Sequence, residues 1–70
     1  MQKSQLDSQL AEFLRQKRGS MTYAQFSRMT GLPISTIFRL VNGQQSITLG
    51  KLDRVLARLK CKLSDVFDEV

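Results

Sequence analysis

In ISTIFRLV, residues 34–41, the bulky apolar side chains of Ile34 and Phe38 stand one helical turn apart, with the guanidinium of Arg39 beside them. Ile37 and Leu40 define a different, buried face of the same helix, so Ile34 and Phe38 fall where a helix should meet water. The surrounding stretch, FSRMTGLPISTIFRLVNG from Phe26 to Gly43, has two arginines and no acid, with two glycines and the chain's one proline. Apolar carbon next to a planar cation suits recognition of another surface rather than bond making. With no histidine in the chain, the usual zinc sets and histidine-based triads are excluded, and the single cysteine, Cys61, cannot form an intramolecular disulfide. A lone Ser or Cys without an activating base is inert, and no phosphate loop is present. We therefore expect no enzyme, no metal and no cofactor, with Cys61 a buried core residue.

Charge points to the partner. The formal net charge is +5, yet four of the six acids (Asp7, Asp65, Asp68 and Glu69) lie near the two ends. From Phe13 to Lys62 there are ten Lys/Arg against one acid, Asp53, a formal +9 over that segment. Such a body attracts polyanions by raising their local concentration and by counterion release. An ordinary solvated basic surface is the alternative on charge alone.

The elements that position these residues read as helices throughout, because apolar spacing near 3.6 dominates and no repeat or low-complexity tract intervenes. Seventy residues suit one domain over 1–70, burying about 60% of the unfolded chain's surface. The acidic end, about 68–70, is expected to fray. Leu6, Leu10, Phe13 and Leu14 mark a first helix over about Gln5 to Lys17, with Ser4 and Asp7 as a capping pair and Gly19 as its stop. Thr22 caps a second, running through Ala24, Phe26 and Ser27 to Gly31. The third begins near Pro33 and ends at Asn42-Gly43. Thr48 caps a fourth, with Ile47 and Leu52 as a hydrophobic staple and Leu49, Leu52, Val55, Leu56 and Leu59 as its apolar stripe. A last turn around Ser64 to Phe67 lays Leu63, Val66 and Phe67 over the core. No run approaches the roughly 20 apolar residues of a membrane span and MQKSQLDSQL has no signal-peptide core, so a soluble, cytoplasmic protein is expected.

Two helices meeting at a steep angle need a small residue at their close approach, a glycine-like turn and flanking apolar supports. Ser27, Gly31, and the set Phe26, Leu32, Ile37 and Leu40 meet those needs at matching spacing. The chain resembles the helix-turn-helix of Cro proteins and phage repressors, the XRE family, from Leu10 to Phe67. LARLKCKLSDVF is similar to the family's closing helices. The resemblance implies an all-α, compact five-helix domain with the helix-turn-helix in helices 2 and 3. Four departures stand out. Gly19-Ser20 lengthens the first connection, Val41 stands where a glutamate often pairs with a first-helix arginine, Lys60 replaces a common glycine, and Pro33 replaces a hydroxyl cap. Arg15 is left to find another partner or stay solvated, and Lys60 implies backbone strain or an ending that is not left-handed.

What the resemblance implies for function is sequence-specific binding of double-stranded DNA by a bacterial, phage or plasmid regulator, by default a repressor, with the third helix in the major groove. The matching base-facing positions are Pro33, Ile34, Ser35, Phe38 and Arg39. Ile34 and Phe38 can pack on thymine methyls and Arg39 can donate twice to guanine, while Ser35 discriminates less. Core burial or a protein contact is the other reading of Ile34 and Phe38, and a phosphate contact or solvated charge that of Arg39. Backbone anchoring is expected from Thr22, Tyr23, Gln25, Asn42, Gln44, Gln45, Ser46 and Lys51, and more weakly from Arg28. Tyr23 equally suits packing on the first helix, and Gln44 and Gln45 plain loop surface. Arg54, Arg58, Lys60 and Lys62 read as solvated charges.

A protein-binding module or antitoxin-like partner using an exposed Ile34/Phe38/Val41 stripe is the rival class. RNA binding lacks a stacking platform, because Phe13, Tyr23, Phe26, Phe38 and Phe67 mostly read as core. We expect a homodimer on a palindromic operator, because one short helix in one groove makes too few contacts. Leu63, Val66, Phe67 and Val70 are the pairing residues expected, with core capping their alternative. No small-molecule ligand and no membrane partner are expected.

Overall fold

The computed structural model describes residues 5–67, which form five α-helices: α1 (Gln5–Arg18), α2 (Tyr23–Thr30), α3 (Ile34–Val41), α4 (Leu49–Leu59) and α5 (Leu63–Val66). The capping serine expected at position 4 and the pairing residue expected at position 70 lie outside the described residues. α1 packs against α3 and α5, and α2 against α3 and α4. Phe26, Leu14, Ile37, Leu40 and Val55, one or two from each of the first four helices, are fully buried where these contacts meet.

The turn between α2 and α3 is fixed by side chains as well as by glycine. Thr22 and Gln25 exchange a capping box at the start of α2, Gln25 N–H donating to Thr22 Oγ1 at 3.1 Å and Thr22 N–H to Gln25 Oε1 at 2.9 Å. At the far end Gly31 adopts φ +79°, a conformation that strains any residue with a Cβ. The Ser27 hydroxyl donates to the Leu32 carbonyl across that turn. Thr30, 2% exposed, donates to the Phe26 carbonyl at 2.9 Å and accepts from Leu32 N–H at 3.3 Å. These bonds satisfy polar groups on both sides of the turn, and α3 leaves it in one direction.

Several side chains differ from the sequence-based expectation. Val41 is 3% exposed and belongs to the core, so it is not part of an open Ile34/Phe38/Val41 stripe. Along that face burial reaches Val41 but not Ile34 or Phe38. Leu49 is 79% exposed, although it sits in line with the α4 stripe, because the core closes on Leu52, Val55 and Leu56 and the first turn of α4 overhangs it. Leu6, in the first turn of α1, is exposed for the same reason. Val66 and Phe67 are buried as α5 folds back on α1, in the core-capping role foreseen as the alternative to pairing, while Leu63 stays exposed. A chain this small needs both side chains inside. Phe38 is half-exposed, in keeping with its place outside the Ile37 and Leu40 face, and so is not one of the core aromatics.

Lys60 ends α4 in the left-handed conformation, φ 57° and ψ 43°, while its side chain is exposed. Of the two endings expected there, the strained one is adopted. Arg15 takes Glu12 as partner at 2.9 Å, one turn earlier on the same exposed helix face.

Candidate nucleic-acid interface

Pro33 caps α3 with φ −60° and ψ 150°, and offers no side-chain hydrogen bond. Its ring fixes the entry of the chain, while the first-turn amides of α3 receive no capping oxygen. Eight residues at about 1.5 Å each make α3 about 12 Å long, comparable to the width of a DNA major groove, about 12 Å. On its outer side Ile34 and Phe38 are 49% and 50% exposed. Ser35 and Arg39 are exposed, as is Pro33. Arg39 makes no ion pair among the described residues. All five expected base-facing positions are therefore exposed.

Phe38 is held in place by its neighbours. Its ring meets that of Tyr23 edge-on, centroids 6.2 Å apart and planes at 71°. The Arg18 guanidinium lies over the other partner, 4.5 Å from the Tyr23 centroid, and its NH1 donates to the Met21 carbonyl at 2.7 Å. Arg18 Nε is buried without a hydrogen-bond partner. The last residue of α1, the first of α2 and the middle of α3 therefore form one stack. Tyr23, the first residue of α2, packs on α1 through Arg18, which is the alternative foreseen for it. Arg18 was not foreseen. No spacing rule connects a helix-end arginine to an aromatic five residues on across a loop.

The expected backbone contacts divide into those with open donors and those already engaged. At the start of α2 the capping box uses the Thr22 and Gln25 side chains, leaving the amides of Tyr23 and Ala24 for water or an anion. After α3, Asn42 Nδ2 donates to the Phe38 carbonyl at 2.7 Å, and Gly43, at φ 67°, turns the chain so that Gln44 N–H reaches the Arg39 carbonyl at 2.8 Å. Gln44 is exposed and Gln45 half-exposed. The Ser46 hydroxyl lies 3.1 and 3.2 Å from the two Asp7 carboxylate oxygens, which ties this loop to the first turn of α1 and directs its proton away from a phosphate. Arg28 is exposed in the last turn of α2.

Lys51 follows the Thr48 cap, to which its N–H donates at 3.2 Å. Its side chain lines a cleft of about 230 Å³ together with Arg54, Arg58 and the turn from Thr30 to Pro33. Arg58 lies across the turn so closely that a Cβ at Gly31 would come 3.1 Å from its Nε. Arg54 and Arg58, exposed as expected, thus lie with Lys51 along one basic edge of α4. The spacing 51, 54, 58 is a helical stripe and was legible, but its direction toward the turn required the fold. Among the described residues no group of three or more His, Cys, Asp or Glu is placed to hold a metal, and no helix is long and apolar enough to cross a membrane.

Two short helices packed together across a glycine turn, with an open second helix and basic flanks, define the helix-turn-helix class. Residues 9–70 match the family model of the Cro/C1-type HTH DNA-binding domain, and the chain belongs to that family. Neither curated proteins nor solved structures gave a match.

Proposed function

We propose that this chain is a transcriptional regulator, by default a repressor, that reads double-stranded DNA with α3 in the major groove. The observation that carries the reading is the open, half-exposed Ile34 and Phe38 beside Arg39 on the second helix of a Cro/C1-type domain. Arg39 donates to the two acceptors of guanine, the two apolar side chains pack on thymine methyls, and Pro33 and Ser35 face the same edge. Backbone anchoring comes from the first amides of α2, from the loop after α3, and from Lys51. The protein acts in the cytoplasm as a homodimer on a palindromic operator, with half-sites about 34 Å apart. No enzymatic step or small-molecule ligand is needed for occupancy of a promoter.

In vitro selection from a random duplex library tests this. A palindromic consensus with thymine and guanine at the pairs nearest Ile34, Phe38 and Arg39 is the expected result. Titration of the selected duplex over a range of salt should give a log-log slope of roughly −7 to −9 for a dimer neutralising about four to five phosphates per copy. A flat response with no enriched sequence would favour the protein-binding reading, for which Ile34 and Phe38 remain the open pair after the burial of Val41.

A further inference from the structure

Arg18, the last residue of α1, is held through both its backbone and its side chain. Its carbonyl accepts from Met21 N–H at 2.9 Å and its NH1 donates to the Met21 carbonyl at 2.7 Å, so both grip one residue across the Gly19-Ser20 connection. Met21 in turn packs against the core. The guanidinium lies 4.5 Å from the Tyr23 centroid, and its Nε is buried with no acceptor among the described residues. A donor hidden from water and left unpaired is unfavourable, so hydrogen bonding alone does not account for this placement. What the placement achieves is a flat cation fixed over one ring.

That ring is the support of Phe38. At 50% exposure Phe38 is only partly covered, and the edge-on contact with Tyr23 at 6.2 Å is its aromatic neighbour. A helical phenylalanine has more than one common χ1 well. On an open surface these wells compete, and selecting one at the moment of binding costs side-chain entropy that prior packing avoids. Tyr23 gives such packing only if it is itself immobile. It is half-buried and stands at the first residue of α2, where the chain has just left a loop. The clamped guanidinium of Arg18 supplies the missing restraint.

We infer that Arg18 is a positioning residue for base reading: it fixes Tyr23, Tyr23 fixes Phe38, and the preference at the base pair met by Phe38 depends on a side chain of α1. The inference rests on the DNA reading above and adds to it a residue outside the helix-turn-helix.

Fluorescence-anisotropy titrations of the full chain on the selected duplex and on its single-base-pair variants test this. Wild type should lose about fourfold in affinity, or more, when the pair met by Phe38 is changed, roughly the worth of one methyl-sized apolar contact. Phe38→Ala identifies that pair as the one where the penalty disappears, and Arg39→Ala identifies its guanine pair in the same way. Arg18→Ala should cut the penalty at the Phe38 pair to about twofold or less, and leave that at the Arg39 pair within about twofold of wild type. Arg15→Ala, which removes an equal charge from the exposed side of α1, should change neither penalty. Circular dichroism at the titration temperature checks the fold of each variant. Arg18→Gln, which keeps a donor for the Met21 carbonyl but lacks the charge, repeats the test should the alanine variant unfold; loss of the fold in both makes Arg18 a structural residue and overturns the proposal. Uniform weakening on every duplex, as from a lost phosphate contact, overturns it too, as does equal relaxation at both pairs, as from a loosened domain. If Phe38→Ala relaxes a pair and Arg18→Ala does not, the positioning role alone falls. If Phe38→Ala relaxes none, or no duplex is preferred at all, the DNA reading fails at Phe38 and this inference falls with it.

Discussion

Replacing Lys60 with glycine should make the protein more stable. Lys60 is the one non-glycine residue at positive φ among the described residues, and its backbone closes α4 through its own N–H to the Ala57 carbonyl at 3.2 Å and Cys61 N–H to the Leu56 carbonyl at 2.9 Å. The left-handed conformation costs an L-residue about 1–2 kcal/mol, which glycine avoids. Glycine's greater freedom in the unfolded chain returns about 0.5–1 kcal/mol of that gain. A further few tenths are lost with a cation near a helix C-terminus. The net is roughly 0.5 kcal/mol or somewhat more in favour of Lys60→Gly. At about 4–8 °C per kcal/mol for a domain of this size, thermal unfolding by circular dichroism should move up by about 2–4 °C. Lys60→Ala supplies the comparison, since it removes the same charge and side chain but keeps the backbone penalty. The reasoning is refuted if the glycine variant melts no higher than the alanine variant.

Other substitutions probe the site itself. Arg39→Ala should cost about 1–3 kcal/mol on the selected DNA and relax preference at one base pair per half-site, Ile34→Ala should do so to a lesser degree, and Lys51→Ala should weaken all sequences alike and flatten the salt slope by about one per copy. An equal loss on selected and random DNA for Arg39→Ala, with the fold intact, rules it out as a base reader. Gly31→Ala combines a φ of +79° with an approach of 3.1 Å to Arg58 Nε, and should lower stability by about 1–2 kcal/mol in urea unfolding; Arg58→Ala in that background should recover only the steric part. Arg18→Ala should cost about 1–2 kcal/mol of stability through the lost Tyr23 stack and the bond to the Met21 carbonyl, and should change the Phe38 ring signals in a proton spectrum.

Local chemistry made much of this architecture legible before any coordinates. Thr22, Thr48, Gly31 and Gly43 mark ends or turns that depend only on near neighbours along the chain, and each sits where its type is suited. The open side of α3 was also readable, since Ile37 and Leu40 claim the core and leave Ile34 and Phe38 outside. What escaped depends on contacts between distant segments. Periodicity places Leu49 on a stripe but cannot tell that the first turn of α4 extends past the core. It equally places Val41 beside Ile34, and only the oblique cover of the neighbouring helices separates the two. Thr30 looks like a surface residue until its hydroxyl is needed on both sides of the turn. The Arg18, Tyr23 and Phe38 stack joins three helices, and no single helical wheel contains it.

The half-exposed pair Ile34 and Phe38 carries a consequence for how faithfully such a protein would choose its target as ionic strength changes. On the proposed reading, the attraction shared by every DNA sequence comes from Lys and Arg displacing counterions and falls steeply as salt rises. Contact between apolar carbon and a thymine methyl displaces water rather than ions, and scarcely weakens over the same range. Raising salt therefore shortens residence everywhere but erodes the random sites most if random binding engages more phosphates than the fitted operator complex. The ratio of correct to incorrect occupancy would then widen as total affinity drops. A methyl group is also a mark that can be moved: uracil in place of thymine removes it, and 5-methylcytosine presents a similar one on a different base pair. A reader built on Ile34 and Phe38 would sense both exchanges, so the chemical state of the DNA, beyond its sequence, would enter what this small surface recognises.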